Sequence, residues 1–123
     1  MSYKLNHLHM KSPDPQKTAR WYVDYLGAKV VAENRNAEGR ITSYRLDLHG
    51  VPVNVTGLVE GQKLEQHWGL EHVAIDAGDF EAEVARIKGS GAKVLEERLL
   101  PDGRRVCFFE GPEGVRLEFM EMR

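Results

Sequence analysis

Apolar and polar side chains alternate from Leu5 to Lys11, with Leu5, His7 and His9 on one face and Asn6, Leu8 and Met10 on the other. A period of two predicts a strand. Asp14-Pro15 then signals a helix start. An aspartate accepts from the first unpaired N–H groups, and proline at the first helical position gives up no hydrogen bond. Ala19, Tyr22, Val23 and Leu26 recur at the spacing of one helix face, and Gly27 closes the helix because it tolerates a left-handed cap. Residues 28–35, 41–49 and 51–56 read as strands, divided by turn signals at Asn36 to Gly39 and at His49-Gly50.

The same order of elements then returns. Leu70 to Asp76 reads as a strand with Val73 and Ile75 on its apolar face and His72 and Ala74 opposite. Asp79 opens a helix whose stripe is Phe80, Val84 and Ile87, closed by Gly91. Strands follow at about 92–99, 104–110 and 115–121, split by Pro101-Asp102-Gly103 and by Gly111-Pro112-Glu113-Gly114. Gly57 to Gly69 is a polar linker between the two halves.

The return extends to the residues themselves. Leu26-Gly27-Ala28-Lys29-Val30-Val31-Ala32-Glu33 parallels Ser90-Gly91-Ala92-Lys93-Val94-Leu95-Glu96-Glu97 at an offset of 64. Leu5-Asn6-His7 parallels Leu70-Glu71-His72, and Asp14 parallels Asp79, at an offset of 65. The drift places one lost residue inside the second helix. Residues 1–123 thus read as a single domain of two repeats, about 1–60 and 67–123. The expected fold class is α+β: two βαβββ modules forming a curved mixed β-sheet, helices on the outer face, and a trough lined by the polar strand faces.

Four positions stand out on those faces. In the last strand Val115, Leu117 and Phe119 alternate with Arg116, Glu118 and Met120; in the first half Val51, Val53 and Val55 alternate with Pro52, Asn54 and Thr56. Asn54 takes the place of Glu118, and His7 that of His72. Singly, each reads as a solvated side chain. Together, two histidines and a carboxylate on rigid strands suit a divalent metal, zinc, nickel, iron, manganese or cobalt, with positions left open for substrate. Asn54 would add a weak amide oxygen. His9 shares the face of His7 and is a candidate substrate contact. His49, beside a turn, reads as solvated, and His67 lies in the linker beside Trp68. Arg45 and Arg105 are candidates for an anionic substrate group, with a surface salt bridge as the simpler reading.

Composition narrows the setting. The chain has 123 residues, 41% hydrophobic and 29% charged, in the range of a folded domain. A net charge of −2 counts against a nucleic-acid partner. No apolar run approaches the ~20 residues of a membrane span. Met1 to His7 lacks the apolar core of a signal peptide. A lone cysteine, Cys107, forms no internal disulfide and reads as inert packing, so a reducing cytoplasm fits. Exposed sheet edges and an apolar flank lead us to expect a homodimer.

His7-Leu8-His9-Met10-Lys11-Ser12-Pro13-Asp14-Pro15, followed by Trp21-Tyr22-Val23-Asp24-Tyr25-Leu26-Gly27, resembles the opening of a vicinal oxygen chelate protein. Leu70-Glu71-His72-Val73-Ala74 and Gly111-Pro112-Glu113-Gly114-Val115-Arg116-Leu117-Glu118 resemble the opening and close of that superfamily's second module. The superfamily includes glyoxalase I, epimerases, extradiol dioxygenases, and fosfomycin and bleomycin resistance proteins. The resemblance implies metal-ligand positions at His7, His72 and Glu118, with Asn54 at the fourth, where glyoxalase I-like members commonly carry Glu or Gln. It implies a metal-dependent lyase or isomerase of glyoxalase I type, acting on a small substrate that chelates through vicinal oxygens. Asn54 cannot be a base, so Glu118 is the candidate catalytic group, assisted by His9. A His, His, Glu set also matches non-heme Fe(II) oxygenases. An extradiol-type dioxygenase is therefore an alternative. A bleomycin-resistance-like binding protein is another, holding a ligand against Trp21, Trp68, Phe108 or Phe109. In this superfamily the paired modules come from one chain or from two exchanged chains.

Overall fold

The computed structural model describes residues 5–57 and 70–122; His67 and Trp68 of the linker lie outside the described residues. The chain divides into two compact units, Met1–Leu64 and Glu65–Arg123.

The first unit runs β1 (Leu8–Lys11), α1 (Pro15–Leu26), β2 (Lys29–Arg35), β3 (Ile41–Leu48) and β4 (Val51–Thr56). Its sheet has the order β1-β4-β3-β2, with β1 parallel to β4 and the other pairs antiparallel. The second unit runs β5 (Val73–Ala77), α2 (Phe80–Gly89), β6 (Val94–Leu99), β7 (Arg105–Glu110) and β8 (Arg116–Glu121). Its order is β5-β8-β7-β6, again with one parallel pair, β5 with β8. Each unit is a βαβββ module with a mixed four-stranded sheet, so the fold is α+β.

Local sequence explains the helices. The Asp14 side chain accepts from the Lys17 backbone N–H at 3.1 Å, Pro15 takes the first helical position, and Gly27 ends α1 at φ 72°. Asp79 accepts from the Ala82 N–H at 3.2 Å, and α2 stops two residues before Gly91, which is left-handed at φ 84°. Ser90 closes α2 instead, its hydroxyl donating to the Ile87 carbonyl at 2.6 Å. The Asp caps are 65 residues apart and the left-handed glycines 64, so the drift falls within the helix.

The backbone repeats in finer detail than the residues do. β2 carries a register shift between Val30 and Ala32, and β6 carries the same shift between Val94 and Glu96. An extra residue at this point bends the strand and increases its twist. The following hairpins also match. Asn36 and Arg40 are joined N–H to carbonyl at 2.9 Å, Leu100 and Arg104 at 2.8 Å, and each turn has a left-handed glycine, Gly39 or Gly103.

One sheet face of each module is covered by its own helix. Tyr22, Leu26, Leu46, Val53 and Val55 are buried in the first module; Ile75, Val84, Ile87, Phe109, Leu117 and Phe119 in the second. Fully burying such a side chain contributes about 1.5–3 kcal/mol. Phe109 and Phe119 meet with ring centroids 4.8 Å apart. The opposite face of each sheet carries the candidate residues.

Candidate functional site

Strand register decides which side chains are neighbours. In the second module Glu118 of β8 lies between Ala74 of β5 and Phe108 of β7. In the first, Asn54 of β4 lies between His9 of β1 and Arg45 of β3. The expected equivalence of Asn54 and Glu118 is thus written into the ladders. The rows differ in character. Phe108 is buried beside Glu118, whereas His9 and Arg45 beside Asn54 are exposed.

Both strand-one histidines sit one residue before their strand. Alternation suggests strands from Leu5 and Leu70, but the ladders begin at Leu8 and Val73. His72 Nε2 lies 3.2 Å from Glu118 Oε1, and its Nδ1 lies 2.7 Å from Glu71 Oε1. Glu118 is nearly sealed, its side chain 8% exposed. The His72 ring stands edge-on to Phe108, centroids 5.1 Å apart at 89°. Arg116 lies over the same ring, its Cζ 4.6 Å from the centroid. Its Nε is 3.1 Å from Glu71 Oε1, an ion-pair distance, though the N–H is not aimed as a hydrogen bond. Together with a charge-assisted contact from His72, Arg116 holds the Glu71 carboxyl below the usual range, the His72 hydrogen bond being the larger cause.

These distances set a proton-counting problem. A neutral imidazole has one N–H. With Nδ1–H given to Glu71, the Nε2 lone pair of His72 faces a carboxylate oxygen of Glu118. Two acceptors 3.2 Å apart repel unless a proton or a metal ion lies between them. Two ligands each about 2.1 Å from one metal, at roughly right to tetrahedral angles, lie about 3.0–3.4 Å from one another. The pair fits adjacent positions of a metal's shell, and its imidazole and carboxylate donors suit a borderline divalent ion.

The first module is less complete. His7 Nδ1 bonds Asn6 Oδ1 at 2.7 Å, so Nε2 is the ring nitrogen that this bond does not use. His9 Nε2 bonds Thr56 Oγ1 at 2.7 Å, and that hydroxyl gives its proton to the Gly57 carbonyl at 2.8 Å. Thr56 must therefore accept from His9, so Nδ1 carries the lone pair of a neutral His9. Among the described residues, no three histidine, cysteine or carboxylate side chains close into a metal cluster.

The whole-chain pattern agrees with a known family model. The model of the Glyoxalase/Bleomycin resistance protein/Dioxygenase superfamily matches residues 4–119. The chain belongs to this superfamily. Lactoylglutathione lyase of Haemophilus influenzae is 25% identical over 121 residues, 94% of this chain and 90% of the relative. The crystal structure of a glyoxalase family protein from Enterococcus faecalis has a TM-score of 0.72 at 24% identity, over 96% of this chain and 97% of its own. A mutant of the fosfomycin resistance protein FosX from Listeria monocytogenes, complexed with Mn(II) and 1S,2S-dihydroxypropylphosphonic acid, has a TM-score of 0.77 at 18% identity. It covers 97% of this chain and 92% of its own.

Other candidates in this superfamily member divide between the site face and the frame. Arg105 belongs to the frame: it donates to Glu121 at 2.8 Å, reaches Glu81 at 3.4 Å and lies 5.1 Å from the Phe80 ring centroid. Arg45 stays on the site face beside Asn54. Of the aromatic side chains expected to hold a ligand, Phe108 is on the site face. Phe109 is fully buried against Phe119, and Trp21 packs on Tyr22 and Tyr25 of its own helix. Cys107 is buried, and burial pushes its thiol pKa up, which suits inert packing. His49 is not simply solvated: its Nε2 donates to the Leu26 carbonyl at 2.6 Å and helps cap α1. No helix among the described residues is long and apolar enough to cross a membrane.

Proposed function

We propose that the protein is a metal-dependent lyase or isomerase of glyoxalase I type, acting on a small substrate that presents two vicinal oxygens. The observation that carries this reading is the facing pair His72 Nε2 and Glu118 Oε1, whose separation suits a shared divalent ion. His72 and Glu118 would be two ligands. His7 and the weaker donor Asn54 are the other two ligand candidates of this reading. Zinc, nickel, iron, manganese and cobalt all accept such donors. The Mn(II) complex of the FosX variant and the similarity to a lactoylglutathione lyase support a metal and this reaction class.

The metal, when bound, would act as a Lewis acid that stabilises negative charge on the substrate oxygens. The chain's own residues supply proton movement and orientation. Glu118 is the candidate catalytic carboxylate. His9 is the candidate partner, because its Thr56 contact leaves the Nδ1 lone pair as acceptor. Asn54 cannot take a proton, so a carboxylate on each side of the substrate is not part of this reading. Arg45 is the candidate contact for an anionic substrate group, a reading its register beside Asn54 supports. We read residues 1–123 as one domain of two repeats, working in the cytoplasm as a homodimer; sedimentation at micromolar concentration showing a monomer would remove the dimer.

The test is turnover of the hemithioacetal of a 2-oxoaldehyde by protein loaded with nickel or zinc. Thioester formation lost in Glu118→Gln is the expected result. The His, His, Glu set leaves an Fe(II) ring-cleaving dioxygenase as second reading. Oxygen uptake with catechols and Fe(II), without hemithioacetal turnover, would put it first. Neither activity and no metal uptake would favour a binding protein whose ligand rests on Phe108.

A further inference from the structure

The residue immediately before each candidate histidine ligand bonds that histidine's Nδ1, at the same distance and in the same repeat position. Asn6 Oδ1 to His7 Nδ1 is 2.7 Å, and Glu71 Oε1 to His72 Nδ1 is 2.7 Å. The ladders place these residues equivalently, since Leu8 opposes Val53 as Val73 opposes Leu117. The two acceptors are not interchangeable. Asn6 is a neutral amide. Glu71 is a carboxylate that Arg116 approaches at 3.1 Å, while Arg116 itself lies over the Phe108 ring that flanks His72.

We propose that Glu71 and Asn6 are positioning residues that hold His72 and His7 in the Nδ1–H tautomer, so that Nε2 of each presents a lone pair for metal binding. This inference rests on the metal reading above and adds what orients its ligands. His72 makes the case plainly, because two carboxylates compete for its single proton. Glu71 lies at 2.7 Å from Nδ1 and Glu118 at 3.2 Å from Nε2. Glu71 therefore draws the proton to the far side of the ring. Without it, Nε2–H turns to Glu118, and that hydrogen bond occupies both the lone pair and the carboxylate that the metal needs. An acceptor on the non-ligating nitrogen fixes tautomer and ring orientation in metal sites generally, and its loss costs about 10–100-fold in metal affinity. Arg116 and Phe108 give the second module a stiffer frame than Asn6 gives the first, so the loss at Glu71 exceeds the loss at Asn6.

The experiment compares wild type, Glu71→Ala, Glu71→Gln and Asn6→Ala in two readouts. The first is the nitrogen chemical shifts of the ring of His72 in metal-free protein, at a pH where the imidazole is neutral. The second is affinity for Co(II) or Zn(II) by calorimetric titration, with His72→Ala as the reference for a lost ligand. Wild type shows the Nδ1–H tautomer at His72, Glu71→Ala shifts it toward Nε2–H, and Glu71→Gln retains it through its amide oxygen. Affinity falls about 10–100-fold in Glu71→Ala, less in Asn6→Ala, and recovers largely in Glu71→Gln. An unchanged tautomer in Glu71→Ala overturns the inference, as does an affinity within twofold of wild type. A wild type that takes up no metal but shows the tautomer change keeps the positioning role and sinks the metal reading instead.

Discussion

Glu118→Gln separates what the buried carboxylate costs the fold from what it gives a metal. The Glu118 side chain is 8% exposed, is flanked by Ala74 and Phe108, and has His72 Nε2 at 3.2 Å. A buried carboxylate without a positive partner is destabilising, because its desolvation costs several kcal/mol that nothing offsets, and a neutral amide of the same volume avoids that cost. The glutamine amide also donates to the His72 lone pair, which removes the facing acceptors; a net hydrogen bond adds about 1 kcal/mol. In chelator, Glu118→Gln should therefore be more stable than wild type by about 1–3 kcal/mol. At roughly 4 °C per kcal/mol for a chain of this size, Tm rises by several degrees. Metal reverses the order. At one hundred times Kd, wild type gains about 2.7 kcal/mol, while the variant, lacking the carboxylate ligand, gains far less at the same concentration. Thermal and urea unfolding with and without metal measure both arms. A variant less stable than wild type in chelator, yet stabilised equally by metal, would refute the reasoning.

The two Asp caps are equivalent in the repeat, so Asp14→Ala and Asp79→Ala should each cost about 1 kcal/mol in urea unfolding, from loss of the bonds to Lys17 and Ala82. The Tyr22 hydroxyl is buried without a hydrogen-bond partner among the described residues, and burial pushes its pKa up to about 12. Tyr22→Phe should leave stability unchanged or raise it by about 1 kcal/mol, and Tyr22 should stay neutral in an absorbance titration up to pH 11. Hydrogen bonds from Arg105 hold the Glu121 carboxyl below its usual range. That contribution is complete above the ordinary glutamate pKa of about 4.3 and is lost as pH falls through the depressed folded value. Arg105→Gln should therefore lower stability at neutral pH, leave it unchanged once Glu121 is protonated, and so flatten the acid limb of the stability profile.

How far the sequence carries can be judged residue by residue. Asp14, Gly27, Asp79 and the hairpin turns act through neighbours three or four residues away, so local spacing was enough to place them. The module order and the shared faces of Asn54 and Glu118 follow from alternation and from the repeat offsets. Alternation could not say where a ladder begins, since a polar-apolar rhythm continues past the last paired residue. Hence β1 starts at Leu8 and β5 at Val73, later than the pattern suggests. Side-chain direction at a shared position was also invisible. Arg105 faces Glu121 and Phe80, and Phe109 lies one residue out of phase with Phe108, on the helix-covered side of the sheet. The role of His49 is invisible in the sequence because a cap that reaches 23 residues back to Leu26 leaves no local signature. The contacts of Asn6 and Glu71 leave no mark in the sequence, since a bond between adjacent side chains depends on torsions that no spacing encodes.

The central claim is that His72 and Glu118 share a metal ion. Elemental analysis of the protein as purified, repeated on His72→Ala and Glu118→Ala and on each after titration with zinc and nickel, tests it directly. The account predicts about one transition metal per chain in wild type, lost in both variants while their folded spectra persist. Wild-type protein that binds none on titration, or variants that keep it in full, would contradict the account.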